Sequence, residues 1–184
     1  MIDVFRLSVI FAVLTIMGCS SDAPAPPMCR TTSDYAGSEE NAACLIRTGD
    51  KLLLIRHRLS GKLDMPGGGK QHGESLACAA HRETWEETGF NVLVGEPLGR
   101  TPNGMLLFAC HEQANAGALP DTFNPPDWAR LEVTSLHKIN PFELEHDDLR
   151  FASDLIPLRD GFVAMGQPST AAPPSTGQSE TKAL

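Results

Sequence analysis

Residues 67–90 read GGGKQHGESLACAAHRETWEETGF, a glycine-rich turn that leads into an acidic helix. The three glycines at 67–69 allow backbone angles closed to other residues, so the chain can approach a metal ion or a phosphate closely. We predict a helix over 74–88 with Glu74 in its first turn, where free N–H groups and the helix dipole favour negative charge. Gly89, directly after the last helical residue, is typical of a helix C-cap.

The second half of this stretch places three carboxylates together. Glu83, Glu86 and Glu87 stand at i, i+3 and i+4, so they share one face of the helix. Carboxylates crowded in this way repel one another unless a cation neutralises them, and Mg2+ prefers such an oxygen shell, completed by waters and substrate phosphates. A solvated acidic face is the other interpretation of this pattern taken alone. Arg82 can reach Glu86 at i+4 and help to orient it.

The complete spacing resembles the signature of the Nudix (MutT-like) hydrolase family, G-x5-E-x7-R-E-U-x-E-E-x-G-U, where U is a bulky apolar residue. Its seven fixed letters are filled by Gly68, Glu74, Arg82, Glu83, Glu86, Glu87 and Gly89. One position departs from the family pattern, because Thr84 stands where an aliphatic residue is usual. We expect this substitution to weaken packing slightly and to leave the chemistry unchanged.

The resemblance implies a fold and an activity. The fold is an α/β/α sandwich with a mixed central sheet, which we expect over residues 41–160. The activity is metal-dependent hydrolysis of a diphosphate linkage, in a nucleoside diphosphate linked to a group X or in a lipid-linked diphosphate, with Mg2+ or Mn2+ as cofactor. The alternative is a catalytically inactive Nudix-fold binding module anchored at the cell envelope, and the complete set of glutamates counts against it. A purely structural envelope lipoprotein is a third interpretation.

The resemblance also implies roles for single residues. Glu83, Glu86 and Glu87 would ligate the metal ion together with the Gly68 carbonyl. Arg82 would orient the carboxylates, and Glu74 and Gly89 would support the turn and the helix. Glu83 or Glu86 would act as general base, or a carboxylate downstream would do so. The downstream candidates, which the sequence does not rank, are Glu112, Glu132, Glu143 and Glu145.

Other functions are disfavoured by composition and by the surrounding residues. The net charge of −8 argues against a protein that coats nucleic acid. A Walker-type phosphate loop requires Ser or Thr after Gly-Lys, but Gln71 follows Lys70. We predict His72 and His81 to be surface residues rather than metal ligands. The basic residues at 56–58 either attract phosphates or form a solvated strand end.

The N-terminus has the features of an export signal. Arg6 precedes an apolar run over 7–17, which is long enough for a signal-peptide core and too short for a typical membrane-spanning helix. The run ends at Gly18-Cys19, which resembles the bacterial lipobox. We therefore predict a lipoprotein-type signal peptide over 1–18 and lipidation of Cys19. A cleaved signal peptide followed by an incidental cysteine is the alternative.

The regions on either side of the predicted domain differ from it in composition. Residues 19–40 are rich in Pro, Ser, Ala and Asp and are predicted to be a flexible tether, and 161–184 a disordered tail. The protein would be exported, lipid-anchored in the bacterial cell envelope and facing the periplasm. Envelope compounds are then the expected substrates, among them lipid-linked diphosphates, nucleotide sugars and extracellular nucleotides.

Four further cysteines are present: Cys29, Cys44, Cys78 and Cys110. An exported protein meets an oxidising compartment, so disulfides are possible, and two bridges can be arranged in three ways. We expect Cys29 to pair with Cys44 or Cys110. We expect Cys78, inside the acidic helix, to be a packed thiol.

The remaining elements are predicted from hydrophobic patterning. Strands are expected at 42–47, 51–57, 63–66, 91–98, 105–110 and 130–135, and a helix at 147–156 ended by Pro157. Trp85 is expected to pack rather than to contact substrate. Phe123 and Trp128, near the long loop 111–127, either stack on a substrate or anchor the core.

Overall fold

In a computed structural model of the chain, residues 24–112 and 116–166 are described, and they form eight strands and two α-helices. The predicted signal peptide, Cys19 and nearly all of the predicted tail lie outside the described residues. The strands are β1 (Asn41–Thr48), β2 (Lys51–His57), β3 (Leu63–Asp64), β4 (Gly67–Gly69), β5 (Val92–Arg100), β6 (Leu106–Glu112), β7 (Thr122–Phe123) and β8 (Val133–Ile139). The helices are α1 (Leu76–Thr88) and α2 (Leu155–Met165), with short 3-10 helices at Ala116–Ala118, Asp127–Leu131, His146–Asp148 and Ala152–Asp154.

The strands form one mixed sheet in the order β5-β6-β1-β2-β8-β7, with β3 paired to β2 and β4 paired to β1. The β1 and β6 strands run parallel, whereas the other pairs of named strands are antiparallel. The predicted mixed sheet is therefore confirmed. Within the described residues, neither helix is long and apolar enough to cross a membrane.

Both faces of the sheet are covered, which explains the unbroken apolar runs in β1 and β2. Successive side chains of a strand point to opposite faces. In β1, Ala42 and Cys44 belong to the core on the α1 side, whereas Ala43 and Leu45 belong to the core on the α2 side. Strands buried on both faces are typically continuous in hydrophobicity rather than alternating. The α/β/α sandwich predicted from the sequence is confirmed.

Helix α1 is capped at both ends by local chemistry. The Ser75 hydroxyl accepts the Cys78 N–H at 3.2 Å, so the helix begins at Leu76, two residues later than the predicted start at 74. Glu74 therefore precedes the helix. Gly89 adopts a left-handed conformation with φ of 76°, and its N–H donates to the Trp85 carbonyl at 2.9 Å. The predicted C-cap is confirmed.

The C-terminal part of the fold differs from the prediction. The helix predicted over 147–156 is wrong, because α2 begins at Leu155 and Pro157 lies in its first turn. Proline is tolerated there, since an N–H in the first turn has no partner within the helix. The strand predicted over 130–135 is also displaced: a 3-10 helix occupies Asp127–Leu131, and β8 follows it. The domain extends past the predicted boundary at 160.

The segment before β1 is held against the domain. Thr31 forms a bridge to Val94 of β5, and the Thr32 N–H donates to the Val94 carbonyl at 2.9 Å. The Tyr35 ring packs edge-on against Phe108, with 6.3 Å between ring centroids. The flexible tether predicted over 19–40 is thus wrong for Thr31, Thr32 and Tyr35, whose backbone and ring contacts hold them against the sheet.

The cysteines pair differently from the expectation. Cys29 is bonded to Cys78, and Cys44 to Cys110. Cys44 and Cys110 lie on the neighbouring parallel strands β1 and β6, with 5.4 Å between their Cα atoms, inside the range that a disulfide spans. Cys78 is only partly buried in α1, where the N-terminal segment reaches it.

His81, Trp85 and Phe123 all make contacts within the fold. His81 is 1% exposed and bonds to Asn91 Oδ1 at 3.0 Å, so its prediction as a surface residue is wrong. Trp85 packs against Trp128, with ring centroids 5.7 Å apart, which confirms packing for Trp85. Phe123 packs against Phe90 and anchors the core.

Thr84 is fully buried in α1, and its hydroxyl has no hydrogen-bond partner in the described structure. The substitution Thr84→Val keeps the shape of the side chain and removes the unpaired hydroxyl. We expect it to raise the free energy of unfolding by about 1 kcal/mol, which urea denaturation would measure.

Thr88→Val is the matched control, one turn further along the same helix. The Thr88 hydroxyl accepts the Phe90 N–H at 3.1 Å and donates to the Thr84 carbonyl, so its loss should destabilise the fold by about 1 kcal/mol. Equal destabilisation by both substitutions would contradict the unpaired state assigned to the Thr84 hydroxyl.

Candidate metal centre

The glycines of β4 lie directly against the acidic face of α1. The Gly67 N–H donates to Glu87 Oε2 at 2.8 Å. A Cβ added to Gly68 would stand 2.6 Å from the Glu83 carboxyl carbon, closer than atoms can approach. Gly68 thus lies directly against the Glu83 carboxyl group, and the turn and the carboxylates form one site.

Arg82 joins the glycine turn to the helix. Its Nε and Nη2 each donate to one Glu74 oxygen at 3.0 Å, and Nη2 also donates to the Gly69 carbonyl at 2.8 Å. Glu74 in turn accepts the Gln71 N–H at 2.9 Å. A two-pronged guanidinium–carboxylate pair fixes direction as well as distance.

The same guanidinium holds two of the predicted metal ligands. Arg82 Nη1 donates to Glu83 Oε1 at 2.8 Å and to Glu86 Oε2 at 3.2 Å. Within the described ranges, no three His, Cys, Asp or Glu side chains converge as a ready metal site. The reason is geometric: Glu83 and Glu86 are turned towards Arg82, whereas Glu87 is bonded to the backbone of Gly67.

The carboxylates differ sharply in their electrostatics. Burial acts to raise the pKa of Glu74, but hydrogen bonds from Arg82 and Gln71 outweigh it, and the pKa lies below its ordinary value. Burial raises the pKa of Glu83. The hydrogen bond and charge of Arg82 lower this pKa but do not offset burial, and the charges of Glu86 and Glu132 raise it further.

Glu87 is the most perturbed of these groups. Burial raises its pKa well above the ordinary value, and the negative charges of Glu83 and Asp64 raise it further, against a lowering by the Gly67 N–H. A buried carboxylate with this environment favours either a proton or a neighbouring cation.

The residues fit a hard divalent cation. The donors are carboxylate oxygens on one helix face, which are the ligands that Mg2+ and Mn2+ prefer. Burial raises the pKa values of Glu83 and Glu87, and a bound cation would favour the charged form of both carboxylates. Glu83, Glu86 and Glu87 would hold the ion, and a contribution from the Gly68 carbonyl stays a prediction.

The four downstream glutamates occupy distinct places. Glu132 lines a cleft of about 160 Å3 together with Glu86, Glu87 and Trp128. The other three make contacts elsewhere. Glu112 accepts the Ala116 N–H, Glu143 is near Lys51, and Glu145 caps the 3-10 helix His146–Asp148.

A second group of polar residues, which no sequence pattern signals, lines a cleft together with Gly67 and Gly68 of β4. Asp64 Oδ2 and Arg150 Nη1 lie 3.4 Å apart and line a second cleft of about 240 Å3 that reaches Gly67 and Gly68. Only the tertiary fold brings these two residues together, across 86 positions of sequence. No local pattern could have signalled the pair.

The basic residues at 56–58 form hydrogen bonds with neighbouring parts of the chain. Arg56 donates to His137 Nε2 at 3.2 Å and to the Gly61 carbonyl at 2.7 Å. The Arg58 backbone N–H donates to the Glu132 carbonyl at 2.7 Å, which places this turn beside the first cleft. Attraction of phosphates by these residues stays a prediction.

Replacing Glu87 by Gln should stabilise the metal-free protein at neutral pH. A carboxyl with a raised folded-state pKa destabilises the fold as pH rises above the unfolded value of about 4.3. Gln keeps an acceptor for the Gly67 N–H but carries no charge. We expect the free energy of unfolding of Glu87→Gln to exceed that of the wild type at pH 8, and by a smaller margin at pH 5.

Urea denaturation in the presence of a chelator measures both values. Added Mg2+ should then stabilise the wild type more than the variant. A metal-free wild type that is more stable than Glu87→Gln at pH 8 would contradict the electrostatic cost assigned to this carboxylate.

Comparison with known proteins agrees with this geometry. A "MutT-like protein" from Streptomyces ambofaciens is 32% identical over 103 residues, covering 53% of this chain and 62% of that protein, so the chain spans less than two thirds of this relative. An ADP-ribose pyrophosphatase from Streptococcus suis superimposes with a TM-score of 0.57 at 17% identity, over 71% of this chain and 94% of that one. A NUDIX hydrolase from Nitrosomonas europaea gives 0.55 at 21% identity, over 73% and 77%.

At these identities, the two solved structures show a shared fold. The family itself is identified by the match of residues 38–155 to the NUDIX domain. That match covers more than half of the chain and includes the glycine turn, Arg82 and all three clustered glutamates, so this protein is a member of the NUDIX domain family.

Proposed function

We propose that this protein is a metal-dependent pyrophosphohydrolase that cleaves a diphosphate linked to another group. The single observation that carries the proposal is the carboxylate face of α1, where Arg82 holds Glu83 and Glu86 beside the buried Glu87 and against Gly68. The complete acidic set counts against an inactive binding module. Burying the charged Glu87 costs free energy, and a module that binds no cation would have no use for that carboxylate.

A bound Mg2+ or Mn2+ would neutralise the phosphate oxygens and lower the pKa of an attacking water. The chain's own residues would position and deprotonate that water. Its oxygen would form a bond to phosphorus, the bridging P–O bond would break, and the proton would pass to a carboxylate and then to the leaving phosphate. Among the downstream candidates we propose Glu132 as this base, because it shares a cleft with Glu86 and Glu87. Glu83 and Glu86 remain the candidates within the helix.

We further propose that the protein acts outside the cytosol. Two disulfides support this proposal, because such bonds persist in oxidising compartments and are rare in the cytosol. Cys19 would carry the lipid anchor and place the domain at the membrane of a bacterial envelope. The substrates would then be diphosphates available there.

Radioactive palmitate supplied to cells tests the anchor. Label should enter the wild type and be absent from Cys19→Ala. Label retained in Cys19→Ala would contradict lipidation at this residue.

Turnover of the full chain in mild detergent tests the activity. We expect phosphate-bearing products from one class in a panel of nucleoside diphosphate derivatives and isoprenoid diphosphates, only with Mg2+ or Mn2+. The substitution Glu86→Gln should reduce kcat by at least about 100-fold, because it removes a ligand charge. Glu96→Gln, an exposed carboxylate on β5, is the matched control and should keep wild-type turnover.

The variants separate an enzyme from a scaffold. A hydrolase loses turnover in Glu86→Gln while its unfolding transition is retained. Metal binding without turnover of any member of the panel would favour the binding module. Equal turnover in wild type and Glu86→Gln would contradict the assigned site.

A further inference from the structure

One turn of this acidic chain is positively charged. Residues 56–62, from the end of β2 into the turn before β3, read RHRLSGK, with two arginines, one lysine and no carboxylate. The chain as a whole has a net charge of −8. Among the salt bridges of residues 24–112 and 116–166, none involves Arg56, Arg58 or Lys62. These three cations can therefore attract an anionic partner.

Two exposed leucines lie beside these cations. Leu59, in the turn, is 89% exposed, and Leu131, at the end of the 3-10 helix Asp127–Leu131, is 83% exposed. The two segments are joined by Arg58, whose backbone N–H donates to the Glu132 carbonyl at 2.7 Å and whose Nε donates to the Arg130 carbonyl at 2.5 Å. A single exposed leucine is common on protein surfaces, whereas two on adjoining segments beside cations indicate a binding surface. We define the basic tip as Arg58, Leu59, Lys62, Arg130 and Leu131.

Carboxylates near the basic tip have cationic partners of their own. Asp127 pairs with Arg130 at 3.0 Å. Glu132 lines the first cleft together with Glu86 and Glu87, where the proposed metal ion would offset their negative charge. The turn over 56–62 thus keeps an excess of positive charge.

The N-terminal segment contacts the domain close to the same 3-10 helix. Trp85 Nε1 donates to the Pro24 carbonyl at 3.5 Å, and the Trp85 ring packs against Trp128 of that helix. The proposed lipidated residue, Cys19, precedes Pro24 by five residues, a length of chain that spans at most about 18 Å. An anchor at Cys19 would therefore hold the bilayer near the basic tip. This step alone rests on the proposed lipidation.

A phospholipid bilayer complements both parts of the basic tip. Lys and Arg side chains are attracted to anionic headgroups at the membrane surface. Leucine side chains gain free energy when they leave water for the boundary between headgroups and acyl chains. A free phosphate or the diphosphate of a soluble substrate would use the cations but would leave Leu59 and Leu131 in water. The exposed leucines therefore favour a membrane over a soluble anion.

We propose that the basic tip docks on an anionic phospholipid membrane, with its two leucines at the acyl boundary and its three cations among the headgroup phosphates. Leu131 also lines the first cleft, together with Glu86, Glu87 and Glu132. Docking through the basic tip thus holds the mouth of this cleft at the membrane surface, beside the headgroups.

Quenching of tryptophan fluorescence by brominated lipid identifies the part of the protein that touches the bilayer. The full chain is reconstituted in vesicles of phosphatidylglycerol and brominated phosphatidylcholine. We expect Leu59→Trp and Leu131→Trp to show quenching beyond the wild type, in which Trp85 and Trp128 give the background. Val163→Trp is the matched control, because Val163 is an apolar residue of α2 that is 46% exposed, and it should add no quenching. Residues 1–23 are the same in every variant, so the differences report the basic tip.

Charge reversal tests the contact with headgroups. In the Leu59→Trp background, Lys62→Glu should lower the ratio of docked to undocked protein about 5-fold or more, the effect expected of one cation at an anionic surface. Vesicles of phosphatidylcholine alone should lower it further. Retention of the unfolding transition in Lys62→Glu shows that the fold is intact.

Three results would overturn the docking surface. The first is no added quenching in Leu59→Trp and Leu131→Trp, and the second is equal quenching in Val163→Trp. The third is a Lys62→Glu variant with a raised KM for a soluble substrate and unchanged quenching, because this cation would then bind substrate phosphate.

Failure of this proposal is distinguishable from failure of the proposed function. Metal-dependent turnover lost in Glu86→Gln would still support the hydrolase if the basic tip showed no quenching. Added quenching at the basic tip supports the docking surface whether or not Cys19 is labelled by palmitate.

Discussion

A single guanidinium organises the acidic surface of this domain. Arg82 bonds at once to Glu74 and the Gly69 carbonyl on the turn, and to Glu83 and Glu86 on the helix. Burial acts to lower the pKa of Arg82, but the hydrogen bonds to Glu74 and Glu83 and their charges raise it. The guanidinium therefore stays charged and can hold carboxylates that would otherwise separate. The positions of Glu83 and Glu86 depend on this contact, whereas Glu87 is held by the Gly67 N–H.

The carboxylates that suit α1 for binding a cation also lower the stability of the fold when no cation is bound. Arg82 compensates Glu74 fully and Glu83 in part, whereas Glu87 is buried beside other negative charges with one backbone N–H as its bond donor. A protein selected for stability alone would replace Glu87 by a neutral residue. A residue of this kind is typical of functional sites, where charge is retained for a ligand. Apolar burial on both faces of the sheet offsets the free energy that the buried charge of this site costs.

The parts of this structure that the sequence predicts are local. Helix spacing placed Glu83, Glu86 and Glu87 on one face, and Gly89 marked the end of α1, because these features depend on neighbours within one turn. The predicted start of α1 lies two residues too early, because the Ser75 hydroxyl accepts the Cys78 N–H and so caps the helix after Glu74. Pro157 does not end a helix as predicted, since proline is equally allowed in the first turn of a helix, where it lies in α2.

Contacts between distant segments were not predictable from the chain alone. The disulfides join residues 49 and 66 positions apart, and the pairing depends on which strands become neighbours. Asp64 meets Arg150 only because Leu149 bridges to β3. His81 is buried because α1 presents it towards Asn91, which its own spacing does not reveal. In each case, the decisive partner is supplied by the sheet topology.

A divalent cation site on the carboxylate face of α1 is tested most directly by Mn2+ binding, followed by electron paramagnetic resonance of the free ion. We expect the wild type to bind Mn2+, and Glu83→Gln and Glu87→Gln each to weaken binding about 10-fold or more, as loss of a charged ligand does, whereas Glu96→Gln should not. Mn2+ bound with equal affinity by all four proteins, or by none, would contradict a cation site at these carboxylates.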